Sequence, residues 1–336
     1  MKRSAELGLR LNPHPLRLTI PACYTAVDSM ASAIRDSLSS LARRWSSFVE
    51  SRSEMEAARR YWDEGAPGEP ENHYWGAQPL VRRAINRRIT GDPNCWPMDW
   101  FARRYAPSPL GLGLSVGCGS GLLERDVLNK RICTDVEGID FSPEAIAQAR
   151  RGAEESRLSK LLRYRIEDIN ALELPEHRYD IVLFHGSLHH VRSVERVLAQ
   201  VHRSLKRGGL LYLDEYMGPS RSEWTDAEWS FARSAFEAIP AEVKNRSKLM
   251  IPLPLDDPLE SIRSSAIRPE TARLFRVLED RPYGGNILWF LFPCLDMARL
   301  RQDATGLLSR LIVLEDHLLE KGWVDSYFRV MVAQKE

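Results

Sequence analysis

Gly117, Gly119 and Gly121 stand at alternate positions, and Asp140 follows nineteen residues after the last of them. A glycine turn lets a ligand come close to bare backbone, because no Cβ holds it off. Free N–H groups at a helix start beyond such a turn suit an anion or a carboxylate. A carboxylate at the tip of a strand can hold both hydroxyls of a ribose. A second group follows: His185, His189 and His190, then Glu215 and Tyr216. Imidazole titrates near neutrality and suits proton transfer, as do a carboxylate and a phenol placed beside a reacting hydroxyl. Together the two groups describe a nucleoside-bearing ligand next to acid–base side chains.

The elements that must position these residues are legible as alternating strands and helices. Leu114–Val116 is an apolar strand running into the glycine turn, and Gly138-Ile139-Asp140 is a second strand ending in a carboxylate before the helix start Ser142-Pro143. Tyr164–Ile169 is a third strand carrying Asp168, and Tyr179–His185 is a fourth, continuously apolar as expected of a strand buried on both faces. Leu205–Leu213 opens with Lys206-Arg207-Gly208-Gly209 and runs into a fifth. Phe275–Tyr283 and Tyr327–Ala333 supply a sixth and a seventh, while Gln78–Ile89, Asp99–Tyr105, Trp224–Ile239, Asn286–Phe292 and Leu307–Leu319 have helical patterning.

The glycine spelling is G-x-G-x-G. A dinucleotide fold would space its third glycine one residue later, and no G-x-x-x-x-G-K-S/T loop is present, which disfavours a nicotinamide dehydrogenase and a nucleotide triphosphatase. The five elements, in this order, resemble class I S-adenosylmethionine-dependent methyltransferases over roughly residues 109–218. That resemblance implies an α/β, Rossmann-like seven-stranded sheet with the last strand antiparallel, an N-terminal helical cap and a helical insertion after strand five. It implies S-adenosylmethionine as cofactor, with S-adenosylhomocysteine as product. The binding residues would be Ser115, Gly117, Cys118, Gly119, Gly121, Asp140, Phe141, Asp168, Ile169 and His185, with Asp168 accepting from the adenine amino group. One position departs from the pattern. The family often carries Asp or Glu where this chain has Ser115, to meet the amino group of the methionine moiety. Recognition of that ammonium is therefore expected to rest on backbone carbonyls or to be weaker.

The boundaries expected are a flexible extension over 1–28, a helical cap over 29–108 and a cofactor-binding domain over 109–336, with an insertion at about 217–266 shaping the acceptor pocket. In the cap, Met30, Ile34, Leu38, Leu41, Trp45 and Phe48 share a helical face, and Tyr61, Trp62, Tyr74, Trp75, Trp96 and Trp100 supply aromatic surface for a core or a pocket. The pairs Arg82-Arg83 and Arg87-Arg88 read as a solvated helix face, with a grip on an anionic acceptor such as a sugar nucleotide as the alternative.

His189 and His190 suit packing or capping as well as catalysis, and strand parity leaves open which of Asp214, Glu215 and Tyr216 faces the site. Histidines at i, i+4 and i+5 on one turn are poor metal geometry, so no metal site is expected. The five cysteines form no C-x-x-C pair, which points away from zinc and disulfides and toward a reducing compartment. A net charge of +1 gives no footprint for nucleic acid, and no apolar run is long enough to span a bilayer. No secretory leader is legible, and the cytoplasm is the expected location.

The partner expected is a small-molecule methyl acceptor, methylated at oxygen. A likeness of Tyr61–Pro93 and Glu215–Pro219 to bacterial glycan and natural-product methyltransferases leans the acceptor toward those classes. A non-catalytic cofactor-binding or scaffold protein, and a nitrogen or carbon acceptor, stand as alternatives. Nothing in the sequence sets the oligomeric state.

Overall fold

The computed structural model describes residues 53–54, 56–60, 74–253, 257–302 and 306–336. The chain divides into two compact units, Met1–Ser53 and Glu54–Glu336, and apart from Ser53 the described residues belong to the second. The expected extension over 1–28, the Met30–Phe48 face, and Tyr61 and Trp62 lie outside the described residues.

Seven strands form one mixed sheet: β1 (Leu110–Val116), β2 (Cys133–Asp140), β3 (Leu162–Ile166), β4 (Tyr179–His185), β5 (Leu205–Tyr216), β6 (Arg276–Gly284) and β7 (Phe328–Gln334), in the order β3-β2-β1-β4-β5-β7-β6. β1 to β5 pair in parallel, and β7 runs antiparallel between β5 and β6. The parallel pairings need crossover helices, which cover both faces. Alternate residues therefore enter two cores. Ile181, Leu183 and Tyr212 belong to one, and Val182, Phe184, Leu211 and Leu213 to the other. This is why β4 and β5 read as continuous apolar runs. The strand order reverses between β1 and β4, so their C-terminal ends part into a crevice.

The chain enters through α1 (Pro79–Thr90) and α2 (Pro97–Tyr105). α1 starts with Pro79 in its first turn and with the Gln78 side chain accepting from the Leu80 and Val81 N–H groups; Gly91, in the left-handed region, ends it. Its buried face is Val81, Ala84, Ile85 and Ile89. α3 (Leu122–Asn129) leaves the glycine turn, α4 (Pro143–Glu155) follows β2 under a Ser142 cap, and α5 (Val194–Ser204) joins β4 to β5. Between β5 and β6 lies the insertion, which holds α6 (Ser230–Ala238) and leads into α7 (Ile267–Leu274). α6 is shorter than the pattern over Trp224–Ile239 predicts: Trp224 and Trp229 precede it and pack against Phe290 instead. α8 (Leu288–Leu291), α9 (Met297–Gln302) and α10 (Leu307–Glu320) connect β6 to β7.

α10 overturns one expectation. Arg88 is not on a solvated face. Its guanidinium meets Glu315 at 2.6 Å and Asp316 at 2.8 Å, and also donates to the Tyr283 carbonyl. Glu315 is fully buried and accepts from the N–H groups of Gly285, Ile287 and Leu288. The partners lie 227 residues apart, so no local pattern revealed them. Among the described residues, Cys95, Cys118, Cys133 and Cys294 are free and buried, and no helix is long and apolar enough to cross a membrane.

Candidate functional site

The crevice at the sheet's C-terminal edge is a cavity of about 820 Å³. The glycine turn after β1 forms its floor, with Asp140 and Phe141 beyond β2, Asp168 and Ile169 beyond β3, and His185 and Gly186 beyond β4. Gly119 has φ +51°, and a Cβ built there meets no atom within 4 Å. It would project into open space, as a backbone that touches a ligand requires. Gly186, with φ +64°, is equally open.

Asp140 is nearly buried. Its Oδ2 accepts from the Gly119 N–H at 2.9 Å and its Oδ1 from the Ser142 N–H at 2.9 Å. The carboxylate therefore clamps the glycine turn to the second strand and still presents lone pairs to the cavity. Burial raises its pKa, against the Ser142, Gly119 and Phe141 amides that favour the charge. Asp168 accepts from the Asn170 N–H at 2.8 Å and lines the same wall.

At Ser115 the structure answers the departure noted in the sequence. The Ser115 side chain is buried, and beside it, in the first turn of α3, stands Glu124, with no exposure at all. Both side chains line the cavity. Neither Glu124 oxygen is in hydrogen-bonding geometry with a described group, although the Ser115 hydroxyl is near enough to favour the charged form. Burial dominates and pushes the carboxyl up to about 7. A buried carboxylate without a partner is costly, and a cation restores the balance. The structure thus places beside Ser115 a carboxylate from the following helix, nine residues on, which the sequence reading did not single out. The only sequence signal was a glutamate in the first turn of a helix, where its favourable interaction with the helix dipole is the ordinary explanation.

Strand parity is also decided. Asp214 faces the cavity, accepts from the Tyr283 hydroxyl at 2.6 Å and lies 3.6 Å from His185 Nε2. Glu215 points to the other face and is buried. Its Oε1 accepts from the Ser187 and Leu188 N–H groups at 2.7 and 2.8 Å, and its Oε2 lies 2.8 Å from His189 Nδ1. Burial acts to raise Glu215, but the His189 ring and the two amides hold it below the usual carboxylate range. Tyr216 does not line the cavity. Its ring packs on Trp289 and Phe328, its hydroxyl donates to the Pro219 carbonyl, and burial drives the phenol far above its ordinary pKa. His190 reaches the cavity wall; His189 lies behind it. Burial pulls the His189 imidazole down, yet Glu260, Glu215 and Asp257 outweigh it and push it up to about 9. Of the four acid–base candidates, only His190 touches the cavity.

Tyr74, Arg82, Trp96, Met98, Tyr212 and Tyr283 close the side opposite Asp140. Arg82 lies over the Trp96 ring, 4.9 Å from its centroid, and its Nε donates to the Gly76 carbonyl. Trp75, by contrast, is core, stacked on Tyr283.

This geometry agrees with what the chain resembles. Residues 114–213 match the model of a methyltransferase domain. Over that stretch the chain is similar to class I S-adenosylmethionine-dependent methyltransferase domains. Over 111 residues the chain is 40% identical to a ubiquinone biosynthesis O-methyltransferase of Methylocella silvestris, covering 32% of this chain and 42% of that one. Over 123 residues it is 30% identical to a phosphatidylethanolamine N-methyltransferase of Cereibacter sphaeroides, covering 37% and 59%. The chain thus spans about half the length of the curated relatives it matches. Among solved structures, a geranyl diphosphate methyltransferase in complex with GPP and sinefungin superposes with a TM-score of 0.51 over 84% of this chain and 99% of that one, at 16% identity, a likeness of fold. The matched stretch runs from β1 to β5; Tyr74, Arg82, Trp96 and Met98 before it and Leu259 and Tyr283 after it also line the cavity.

Proposed function

We propose that the protein transfers a methyl group from S-adenosylmethionine to an oxygen of a small molecule. The observation that carries the reading is the buried, unpartnered Glu124 carboxylate in a cavity whose other walls are an open glycine turn and two strand-tip aspartates. The bound cofactor would supply an electrophilic methyl on a sulfonium. Asp140 would hold the ribose hydroxyls, Asp168 the adenine edge, and Glu124 with Ser115 the ammonium of the methionine moiety. The protein's remaining task is to align the acceptor and to take its proton, with positioning contributing up to roughly 7–11 kcal/mol in favourable systems.

His185 with Asp214 suits the proton-accepting role better than the candidates read from the sequence. The pair stands at the ends of β4 and β5, and at 3.6 Å the Asp214 carboxylate is near enough to stabilise a cation on the ring. Glu215 and Tyr216 are engaged in the interior. The aromatic side of the cavity and Arg82 favour an acceptor with an apolar body and a polar or anionic end, consistent with a glycan-related or natural-product hydroxyl. The named relatives include both O- and N-methyltransferases, so the oxygen assignment rests on the His185–Asp214 pair.

Calorimetry with S-adenosylmethionine and S-adenosylhomocysteine, followed by methyl transfer to a panel of hydroxylated small molecules, tests the reading. Binding of both ligands and transfer to a hydroxyl support it. Absence of binding would end it, and transfer confined to amines would end the oxygen assignment.

A further inference from the structure

At the cavity wall, two imidazoles and a carboxylate converge. His189 Nε2 lies 3.7 Å from one oxygen of Glu260, and His190 Nε2 lies 3.7 Å from the other. Both distances are too long for hydrogen bonds. All three ligand atoms lie within 4.8 Å of one another, and the rings stand 4.1 Å apart, centroid to centroid. Ligands held 2.0–2.2 Å from a tetrahedral zinc ion sit roughly 3.4 Å apart, so these spacings are close to those that a shared cation imposes.

The far sides of the rings strengthen the case. His189 Nδ1 is 2.8 Å from Glu215 and His190 Nδ1 is 3.2 Å from Asp257. At His189 the hydrogen-bonded Glu215 holds the Nδ1 side of the ring and turns Nε2 toward the centre, the arrangement found behind metal-bound histidines. Three carboxylates surround two imidazoles in a pocket where Asp257 and Glu215 are buried. A divalent cation bound there would face all three carboxylates. The sequence could not show this. The two histidines are adjacent on one turn, and the third donor arrives from the insertion, 70 residues later.

We propose that His189, His190 and Glu260 form a binding site for a zinc-class divalent cation, with Glu215 orienting the His189 ring. Two imidazoles and one carboxylate leave a fourth position for an oxygen ligand such as water. The ion would tie the insertion to the exit of β4, one residue behind the cavity wall formed by His190 and Leu259. The assignment stands apart from the methyl-transfer reading.

The test uses the full chain, stripped with a chelator and titrated with Zn2+, and separately with Co2+. Uptake of about one ion per chain is expected, with the visible bands of four-coordinate cobalt and no thiolate charge-transfer band. Glu260→Gln and His190→Gln should each weaken the ion by more than about 100-fold, beyond the effect of losing an orienting group alone. Uptake well below one equivalent of either metal by the wild-type chain would overturn the proposal, and needs no variant to fold. So would one equivalent held equally by wild type and both variants, or a thiolate signature in the cobalt spectrum. Calorimetry with S-adenosylhomocysteine on the same stripped sample reads the cofactor site separately, so loss of one assignment leaves the other measurable.

Discussion

Replacing Glu124 by glutamine should move stability and affinity in opposite directions. The carboxyl's pKa rises from 4.5 to about 7 on folding, because burial penalises its charge. Between those values the native state binds the proton more tightly than the unfolded chain does, so this group's contribution to stability falls as pH rises. The penalty is absent below about pH 4.5 and complete above about pH 7, where it amounts to about 3 kcal/mol. Glutamine fills the same space without a charge. The ligand-free Glu124→Gln protein should therefore melt several degrees higher than wild type at pH 8 and at nearly the same temperature at pH 4.5. The cofactor should bind more weakly, by roughly 10- to 100-fold, through loss of a charged hydrogen bond to the ammonium. A second signature follows from linkage. An ammonium beside Glu124 lowers its pKa, so binding near pH 6.5 releases a proton, and the calorimetric enthalpy should change between phosphate and an amine buffer of high ionisation enthalpy. The variant should lose that buffer dependence. Thermal melts at the two pH values and calorimetry in the two buffers complete the test. A variant that binds the cofactor as tightly as wild type, or that melts lower at pH 8, refutes the reasoning.

Other outcomes follow from the same geometry. Asp140→Ala should weaken the cofactor by about 1–3 kcal/mol, since it removes the ribose acceptor and the clamp on the Gly119 amide; calorimetry reads it, and unchanged affinity would remove the ribose assignment. His185→Ala should lower turnover by roughly 100- to 10,000-fold with cofactor affinity nearly unchanged, whereas an equal loss in affinity would make His185 a binding residue only. Arg88→Ala should destabilise the fold by about 3–5 kcal/mol in urea unfolding, because it strands the buried Glu315 carboxylate; a loss under 1 kcal/mol would show the pair to be dispensable.

The sequence by itself determined the sheet and the glycine turn at its edge. Strands buried on both faces must be apolar throughout, and a glycine turn that meets a ligand tolerates few other residues, so these demands are written locally, from Leu114 through Asp140 to Leu213. The antiparallel last strand was implied by the family resemblance and is present in the sheet. The charged contacts were decided only in three dimensions. Glu124 reads as an ordinary first-turn acid until α3 packs it beside Ser115. Arg88 reads as solvated until α10 brings Glu315 from the far end of the chain. Glu215 and Asp214 are neighbours whose opposite fates depend on which face of β5 meets the crevice. His189 and His190 acquire their third partner only when Glu260 folds back over the sheet edge. Burial of apolar surface follows a period that a short window can display. The energy of a buried charge depends on what stands within a few ångströms, and that is set by the fold, not by distance along the chain.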